Sequence, residues 1–421
     1  MENELKIIKQ KLENSITTLE KSININENNI TNSDNKFLLK RMKYIQTIFN
    51  NDTNNLLSKI INNINLKKFD NIKNNDIRIL IEKNNIDFFK VINILNKNVS
   101  GKLLYITSGS NGHIFKNIYE NKNKLSFCVK VVAYTKKHYI NNIFDSTRSE
   151  NVEILILSLL SYFVINHLTP HILLPITTFN TDIKTFINLY EKGIVINDKY
   201  KNFINKYNNN EFYNDVSILI SEQANNGDLL DYLTKNCKYI KLNEWRTLFF
   251  QIISTLAIIQ SKYPGFRHND FKPNNILIDN IFITDYNKKY KYIINNINYT
   301  IPYIGYQIKI WDFDFTCIDK LIINSKVETK WANKINITSK QNRYYDIHYF
   351  FNILLKTIFL PDINNTNYLH NEVIDFVNRL IPDKYKIKEN TTKYGRLLID
   401  DEYIIPENII KYDTFFSSFR Q

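Results

Sequence analysis

Apolar residues recur along this chain with changing periods, and the changes divide it into three parts. In the first 98 residues Leu5, Leu12 and Leu19 fall seven apart, with Ile8, Ile16 and Ile23 beside them. That spacing predicts an amphipathic helix packed against the rest of the molecule. From Lys102 the apolar runs shorten and turn residues separate them, which predicts strands over 103–107, 126–133, 172–179 and 216–221. Residues 150–164 interrupt these with a helical period, and 181–215 reads as a loop-rich insertion. Beyond 222 the period is mostly helical, over 229–234, 243–262 and 344–359. No long Pro- or Ser-rich linker separates the strand-rich and helix-rich parts, so they should pack as one unit. The expectation is an α+β chain: a helical, Asn- and Lys-rich extension (1–98), a mainly β lobe (99–222) and a mainly α lobe (223–421).

Composition changes this picture little. With 421 residues and 43% hydrophobic content the chain can fill two sizeable cores. Asn, Ile, Lys, Tyr and Phe dominate, and all five are encoded by A/T-rich codons. The net charge of +13 is therefore read as a generally cationic surface; no basic-aromatic module points to a specific nucleic acid. Cys128, Cys237 and Cys317 lack metal-ligand spacing and suit a reducing compartment. The amino terminus Met1-Glu2-Asn3-Glu4 lacks a signal-peptide core, and no run approaches the ~18 apolar residues of a membrane span. The expectation is a soluble, intracellular protein.

The candidate chemistry lies in His268-Asn269-Asp270-Phe271-Lys272-Pro273-Asn274-Asn275, followed after an insertion by Ile310-Trp311-Asp312-Phe313-Asp314. Phosphoryl transfer from ATP needs a carboxylate for the acceptor hydroxyl, an amide and a carboxylate for magnesium, and a lysine for the phosphates. Asp270 can supply the first. Lys272, two residues on, can approach the transferring group. Asn275 and Asp312 are the candidate ligands of Mg²⁺ or Mn²⁺, with Asp314 as the fallback for Asp312.

This order of parts resembles the protein-kinase signature H-R-D-x-K-x-x-N followed by D-F-G. The resemblance implies a two-lobed, protein-kinase-like fold that binds ATP between its lobes. Ile106-Thr107-Ser108-Gly109-Ser110-Asn111-Gly112-His113-Ile114 resembles the glycine-rich loop, with Thr107 in place of the first glycine. Ile106, Thr107, Gly109, Ser110, Asn111, Gly112, His113 and Ile114 are accordingly candidates for nucleotide contact, through glycines that allow close approach and positive φ. Lys130 ends a segment like the V-A-I-K strand, with Glu153 as its candidate partner and Glu150 as competitor. Glu222 and Ala224 fall at the hinge, where backbone groups read adenine. Lys272 favours Ser and Thr acceptors. Asn269 replaces the arginine that usually pairs with a phosphorylated activation loop, so no such switch is expected. The activation segment lacks an Ala-Pro-Glu motif, and Asp346 is expected to brace the catalytic loop from a buried helix.

The altered metal motif, the insertion over 278–309 and the run from Trp331 to Thr357 resemble the serine/threonine kinases of large cytoplasmic DNA viruses, especially the poxvirus kinase of virion assembly. The A/T-rich composition fits an insect poxvirus. The resemblance covers residues 100–421. It implies a late, virion-associated enzyme of the host cytoplasm that phosphorylates viral structural and membrane-assembly proteins on Ser and Thr, with Tyr as a further acceptor. Two competitors stand beside it: a small-molecule kinase of the aminoglycoside or choline type, and a pseudokinase scaffold.

Overall fold

The computed structural model describes residues 86–89, 91–92, 101–109, 112–119, 127–136, 142–281, 289–356 and 370–421. The helix expected over residues 5–23 lies outside them, as do Ser110 and Asn111. Five strands, β1 (Gly101–Ser108), β2 (Gly112–Tyr119), β3 (Phe127–Thr135), β4 (Pro175–Asp182) and β5 (Phe212–Glu222), form one antiparallel sheet. Its order is β1-β2-β3-β5-β4. Helix α1 (Ser149–Ile165) lies between β3 and β4 in the chain and is buried along nearly its whole length. The helical region follows, with α4 (Leu229–Asn236) and the central α5 (Leu242–Lys262).

Two stretches of the chain differ from the expectation. Strand β2 was read only as part of a glycine turn, because its inward residues are His113, Phe115 and Asn117, and two of the three are polar. The segment expected to be loop-rich holds two helices, α2 (Lys184–Glu191) and α3 (Asp198–Asn208). They cover the sheet face opposite α1. Phe186 meets Phe115, and Tyr200 and Phe203 pack on His113 with ring centroids 4.5 and 4.6 Å away. The sequence Asp198-Lys199-Tyr200-Lys201-Asn202-Phe203-Ile204 hides this helix because only Tyr200, Phe203 and Ile204 are buried, a stripe too thin to stand out among Asn and Lys. Asn197 caps α3, its side-chain oxygen accepting from Lys199 N and Tyr200 N.

Strand β6 (Ile276–Asn280) and strand β9 (Tyr306–Ile310) pair antiparallel, with Ile310 opposite Ile276. The insertion between them therefore returns to its starting point. It contains a hairpin of β7 (Lys289–Ile294) and β8 (Ile297–Pro302), whose Tyr292 and Tyr299 pack on Phe250 of α5. Helix α6 (Tyr345–Leu354) is wholly buried, α7 (Asn371–Leu380) packs on it through Phe376 and Phe351, and α8 (Pro406–Tyr412) packs along α5. The expected helix over 344–359 thus ends at Leu354. Among the described residues no helix is long and apolar enough to cross a membrane.

Candidate active site

Strand β3 is pleated so that alternate residues face opposite sides. Val129 and Val131 face inward, while Lys130 shares a face with Ile114, its partner across the β2–β3 ladder. Lys130 Nζ lies 2.6 Å from Glu153 Oε1 and 2.6 Å from Asp312 Oδ1. Three distant segments therefore meet at one ammonium group. Glu150, the competing partner, instead lies 3.6 Å from Arg148 Nε. Glu150 and Glu153 are one turn apart on nearly the same side of α1, so the difference is position along the helix axis: Glu150 lies beside Arg148 and Glu153 beside Lys130.

Burial alone would discharge Lys130, but the Asp312 and Glu153 carboxylates outweigh it and hold the ammonium charged beyond its ordinary range. Burial also opposes ionisation of Asp312, and here Lys130 prevails and holds the carboxyl below its usual range. Glu153 shares the same single cation, and burial pushes its carboxyl up.

The second cluster forms around Asp270. Its Oδ2 accepts from Lys272 Nζ at 2.7 Å and Asn275 Nδ2 at 3.0 Å. Its Oδ1 accepts from Arg396 Nη2. Burial would raise this carboxyl, yet Lys272 and Arg396 together hold it below the usual carboxylate range. Asp346 at the start of α6 accepts from His268 N at 2.7 Å and Asn269 N at 2.9 Å. Asn269 has φ +63° and Asp312 φ +62°, a left-handed conformation that Asn and Asp tolerate better than most residues. Asp314 has no such angle among the positive-φ residues. A residue with a Cβ therefore stands at this position without left-handed strain. Its carboxylate pairs with Lys326 rather than Lys130.

The two clusters are joined by backbone. Trp311 N donates to Asn275 O at 3.3 Å, a continuation of the β6–β9 pairing, and His268 Nε2 bonds Trp311 O at 3.0 Å. The side-chain amide of Asn275 spends its Nδ2 on Asp270 O and Oδ2, which leaves Oδ1 as a free acceptor. The backbone bond from Trp311 N to Asn275 O brings Asn275 next to the strand end that carries Asp312, and an amide oxygen with a carboxylate is a set of hard-oxygen donors. It fits Mg²⁺ or Mn²⁺ held jointly with phosphates, a mode that requires only one or two protein carboxylates.

The remaining candidates separate. Gly109 N donates to Gly112 O at 2.7 Å, closing the turn between β1 and β2. Neither glycine has a positive φ, and a Cβ at either would meet its neighbours only at ordinary van der Waals distance, so within the protein neither position requires glycine. A Cβ on Gly112 would stand 3.7 Å from Lys130 Cε. Ile106 and Thr107 are exposed and Ile114 half-buried. The side chain of His113 is not at the site. It is buried on the opposite face, its Nδ1 2.6 Å from Ser108 Oγ, and burial pushes its imidazole down to about 4. The Glu222 carboxylate also turns away, accepting from Leu174 N at 2.8 Å, so Glu222 can offer a ligand only its backbone. Ala224 follows it half-buried.

Sequence reasoning missed three residues. Arg396 comes from far along the chain with no motif around it. Arg267 is fully buried and donates to Asn336 O at 2.7 Å, Thr338 Oγ1 at 2.8 Å and Lys340 O at 3.1 Å. Lys326 pairs with Asp314. Asn269 Nδ2 adds bonds to Phe315 O at 3.1 Å and Thr338 O at 3.2 Å. The segment 315–340 is thereby anchored by uncharged and backbone acceptors. Arg343, which ends it, is held by both oxygens of Glu402. Phosphatase treatment is accordingly expected to leave the transfer rate unchanged. A loss of activity that a phosphate on 315–343 restores would contradict this.

No protein-family model matches the chain. It is 47% identical over 329 residues to a candidate serine/threonine-protein kinase of Acanthamoeba polyphaga mimivirus, covering 76% of this chain and 69% of that one. A second candidate serine/threonine-protein kinase of the same virus is 37% identical over 123 residues, 28% of this chain and 30% of the relative. Serine/threonine-protein kinase 2 of vaccinia virus (strain Copenhagen) is 33% identical over 130 residues, 30% of this chain and 25% of the relative. The chain thus spans about two thirds of the first relative and less than a third of the other two.

Proposed function

The chain belongs to the serine/threonine-protein kinase family, and on that premise we propose that it transfers the γ-phosphate of ATP to Ser and Thr hydroxyls of viral and host proteins, with Tyr as a further acceptor. The observation that carries the reading is the meeting of Glu153 and Asp312 at Lys130, each 2.6 Å away. A buried lysine shared by two carboxylates from separate segments is costly to assemble unless it serves a site.

In this reading ATP lies between the sheet and the helical region. Ile106, Thr107 and Ile114 line the base, Gly109 and Gly112 cover the phosphates, and the backbone of Glu222 and Ala224 meets adenine. Ser110 and Asn111 stand between these two glycines in the sequence and are proposed to contact the nucleotide with them. Asn275 and Asp312 would hold Mg²⁺ or Mn²⁺, which supplies charge neutralisation on the phosphates when bound. Asp270 orients the acceptor hydroxyl. The acceptor oxygen forms the new bond to phosphorus, the bond to the ADP oxygen breaks, and the acceptor proton passes to Asp270 late, because the transition state is loose. Lys272 faces the charge of the transferring group.

The test is transfer of labelled γ-phosphate to a mixed protein acceptor by wild type and Lys130→Met, with the labelled residues identified. Phosphoserine and phosphothreonine made by wild type and lost in the variant are expected. Transfer to a hydroxylated metabolite with none to protein would turn the reading to a small-molecule kinase. A protein that binds ATP yet transfers nothing would be a scaffold.

The finer role, phosphorylation of virion components in the host cytoplasm during assembly, is supported by the resemblance of the insertion and the Asp312-Phe313-Asp314 motif to poxvirus kinases. Its test is the phosphorylation state of purified particles made with wild type and with an Asp270→Asn variant. Unchanged particle proteins would remove the assembly role and leave the enzyme.

A further inference from the structure

Residues 391–397 form a tight turn near the carboxyl end. Thr391 and Leu397 bridge, Thr392 N donates to Arg396 O at 2.9 Å, and Thr392 Oγ1 accepts from Arg396 N at 3.0 Å. Gly395 has φ +88°, and a Cβ there would stand 3.5 Å from the backbone of Asn352 and Ile353. The turn is therefore seated directly on α6, and Asn352 Nδ2 donates to Gly395 O at 3.3 Å.

From this seat Arg396 reaches the catalytic loop at two points, Nη1 to Asn269 O and Nη2 to Asp270 Oδ1. The guanidinium also lies 4.2 Å from the Tyr349 ring centroid and 3.4 Å from Tyr345 Oη. Both tyrosines belong to α6. Its position is thus set independently of Asp270. The peptide at Asn269, whose φ is +63°, is gripped from both ends: Asp346 takes its N–H and Arg396 its C=O. One helix supplies the first grip and seats the second.

We propose that Arg396 is a positioning residue for phosphoryl transfer, clamping Asp270 and the peptide before it so that one lone pair of Oδ1 is left aimed at the acceptor hydroxyl. A carboxylate offers about four acceptor sites. Lys272 and Asn275 occupy Oδ2, and Arg396 takes one direction on Oδ1. Rotation about the Cβ–Cγ bond is blocked on both sides. A planar guanidinium holds the carbonyl and the carboxylate through two separate nitrogens in a fixed fork, a geometry that the single nitrogen of lysine does not reproduce. The inference rests on the kinase reading, since it assigns Asp270 the acceptor hydroxyl.

The experiment compares wild type, Arg396→Gln, Arg396→Lys, Asp270→Asn and the Arg396→Gln/Asp270→Asn double variant. It measures kcat and KM for ATP and an acceptor peptide, ATP affinity and the melting temperature. Misplacing a reacting group by about an ångström costs on the order of 10²-fold, so Arg396→Gln should lose about that in kcat, with KM for ATP unchanged. Arg396→Lys keeps the charge and the fold but only one of the two contacts, and its kcat should fall between the others at an unchanged melting temperature. In the Asp270→Asn background the Arg396→Gln change should cost nothing further, because the two act as a unit. A folded Arg396→Gln, or an Arg396→Lys, with wild-type kcat would overturn the proposal. So would full additivity in the double variant, which marks a merely structural arginine, or a rise in kcat, which marks an inhibitory latch. A wild type that transfers nothing overturns the kinase reading and this inference together, whereas an active wild type with an indifferent Arg396 overturns the inference alone.

Discussion

Asp270→Asn is expected to lower kcat by about 10²–10⁴-fold, the range carried by a positioned general base, while ATP affinity stays close to wild type. The contacts of the carboxylate explain why an isosteric change is so severe. All three groups that meet Asp270 are donors: Lys272 Nζ, Asn275 Nδ2 and Arg396 Nη2. An amide turns one of its own donors toward them in either orientation, and no rotamer satisfies all three. It also removes the negative charge that stands between Lys272 and Arg396, leaving two cations facing each other in a nearly buried site. Breaking a buried ion pair from one side costs about 3–5 kcal/mol, so a fall in melting temperature should accompany the kinetic loss. ATP affinity should be spared because Lys130, Glu153 and Asp312 form a separate cluster. Steady-state kinetics with ATP binding measured in parallel separates the two effects. An Asp270→Asn enzyme within a few-fold of wild type in kcat would remove Asp270 from the chemistry.

Asp346→Leu should produce the largest loss of stability among single changes near the site. Asp346 is fully buried and accepts the backbone N–H groups of His268 and Asn269. Burial pushes its carboxyl upward, and the two N–H donors oppose that rise. Leucine fills the space but accepts nothing, so two buried donors lose their partners at about 1–3 kcal/mol each. Asn269 would no longer be held at its positive φ, and Asp270 would lose its placement with it. Asp346→Asn keeps one acceptor oxygen and should cost roughly half as much. Urea denaturation of the three proteins measures the difference. Equal midpoints for wild type and Asp346→Leu would mean that the two N–H groups find other acceptors.

Much of the backbone arrangement was legible because its signals are local. Helix α5 announces itself by a long apolar period, and the start of α4 by Asp228, whose side chain accepts from Asp231 N at 2.9 Å. Strands β3 and β5 are short apolar runs bounded by polar turns. Strand β2 and helices α2 and α3 were not legible. Their buried faces are thin, Phe115 with His113 and Asn117 on β2, Phe186 and Ile187 on α2, and Tyr200, Phe203 and Ile204 on α3, and in a chain rich in Asn, Ile, Lys, Tyr and Phe so few residues do not mark a face. Those helices became visible only as the layer that covers the outer side of the sheet.

The same division runs through the site. Asp270, Lys272 and Asn275 lie within six residues, so a single loop can bring Lys272 and Asn275 to Asp270, at 2.7 and 3.0 Å, and the chemistry they suggest is legible in the sequence. The strand pattern before Asp312 likewise selected it over Asp314. Tertiary structure alone decided the rest. It chose Glu153 over Glu150 by the position of α1 along its axis against β3, turned His113 away through the pleat of β2, and brought Arg396 across 126 residues to Asp270. Local spacing determines which side chains of one loop can meet. Contacts between elements depend on how those elements pack, and no pattern within any one of them encodes that.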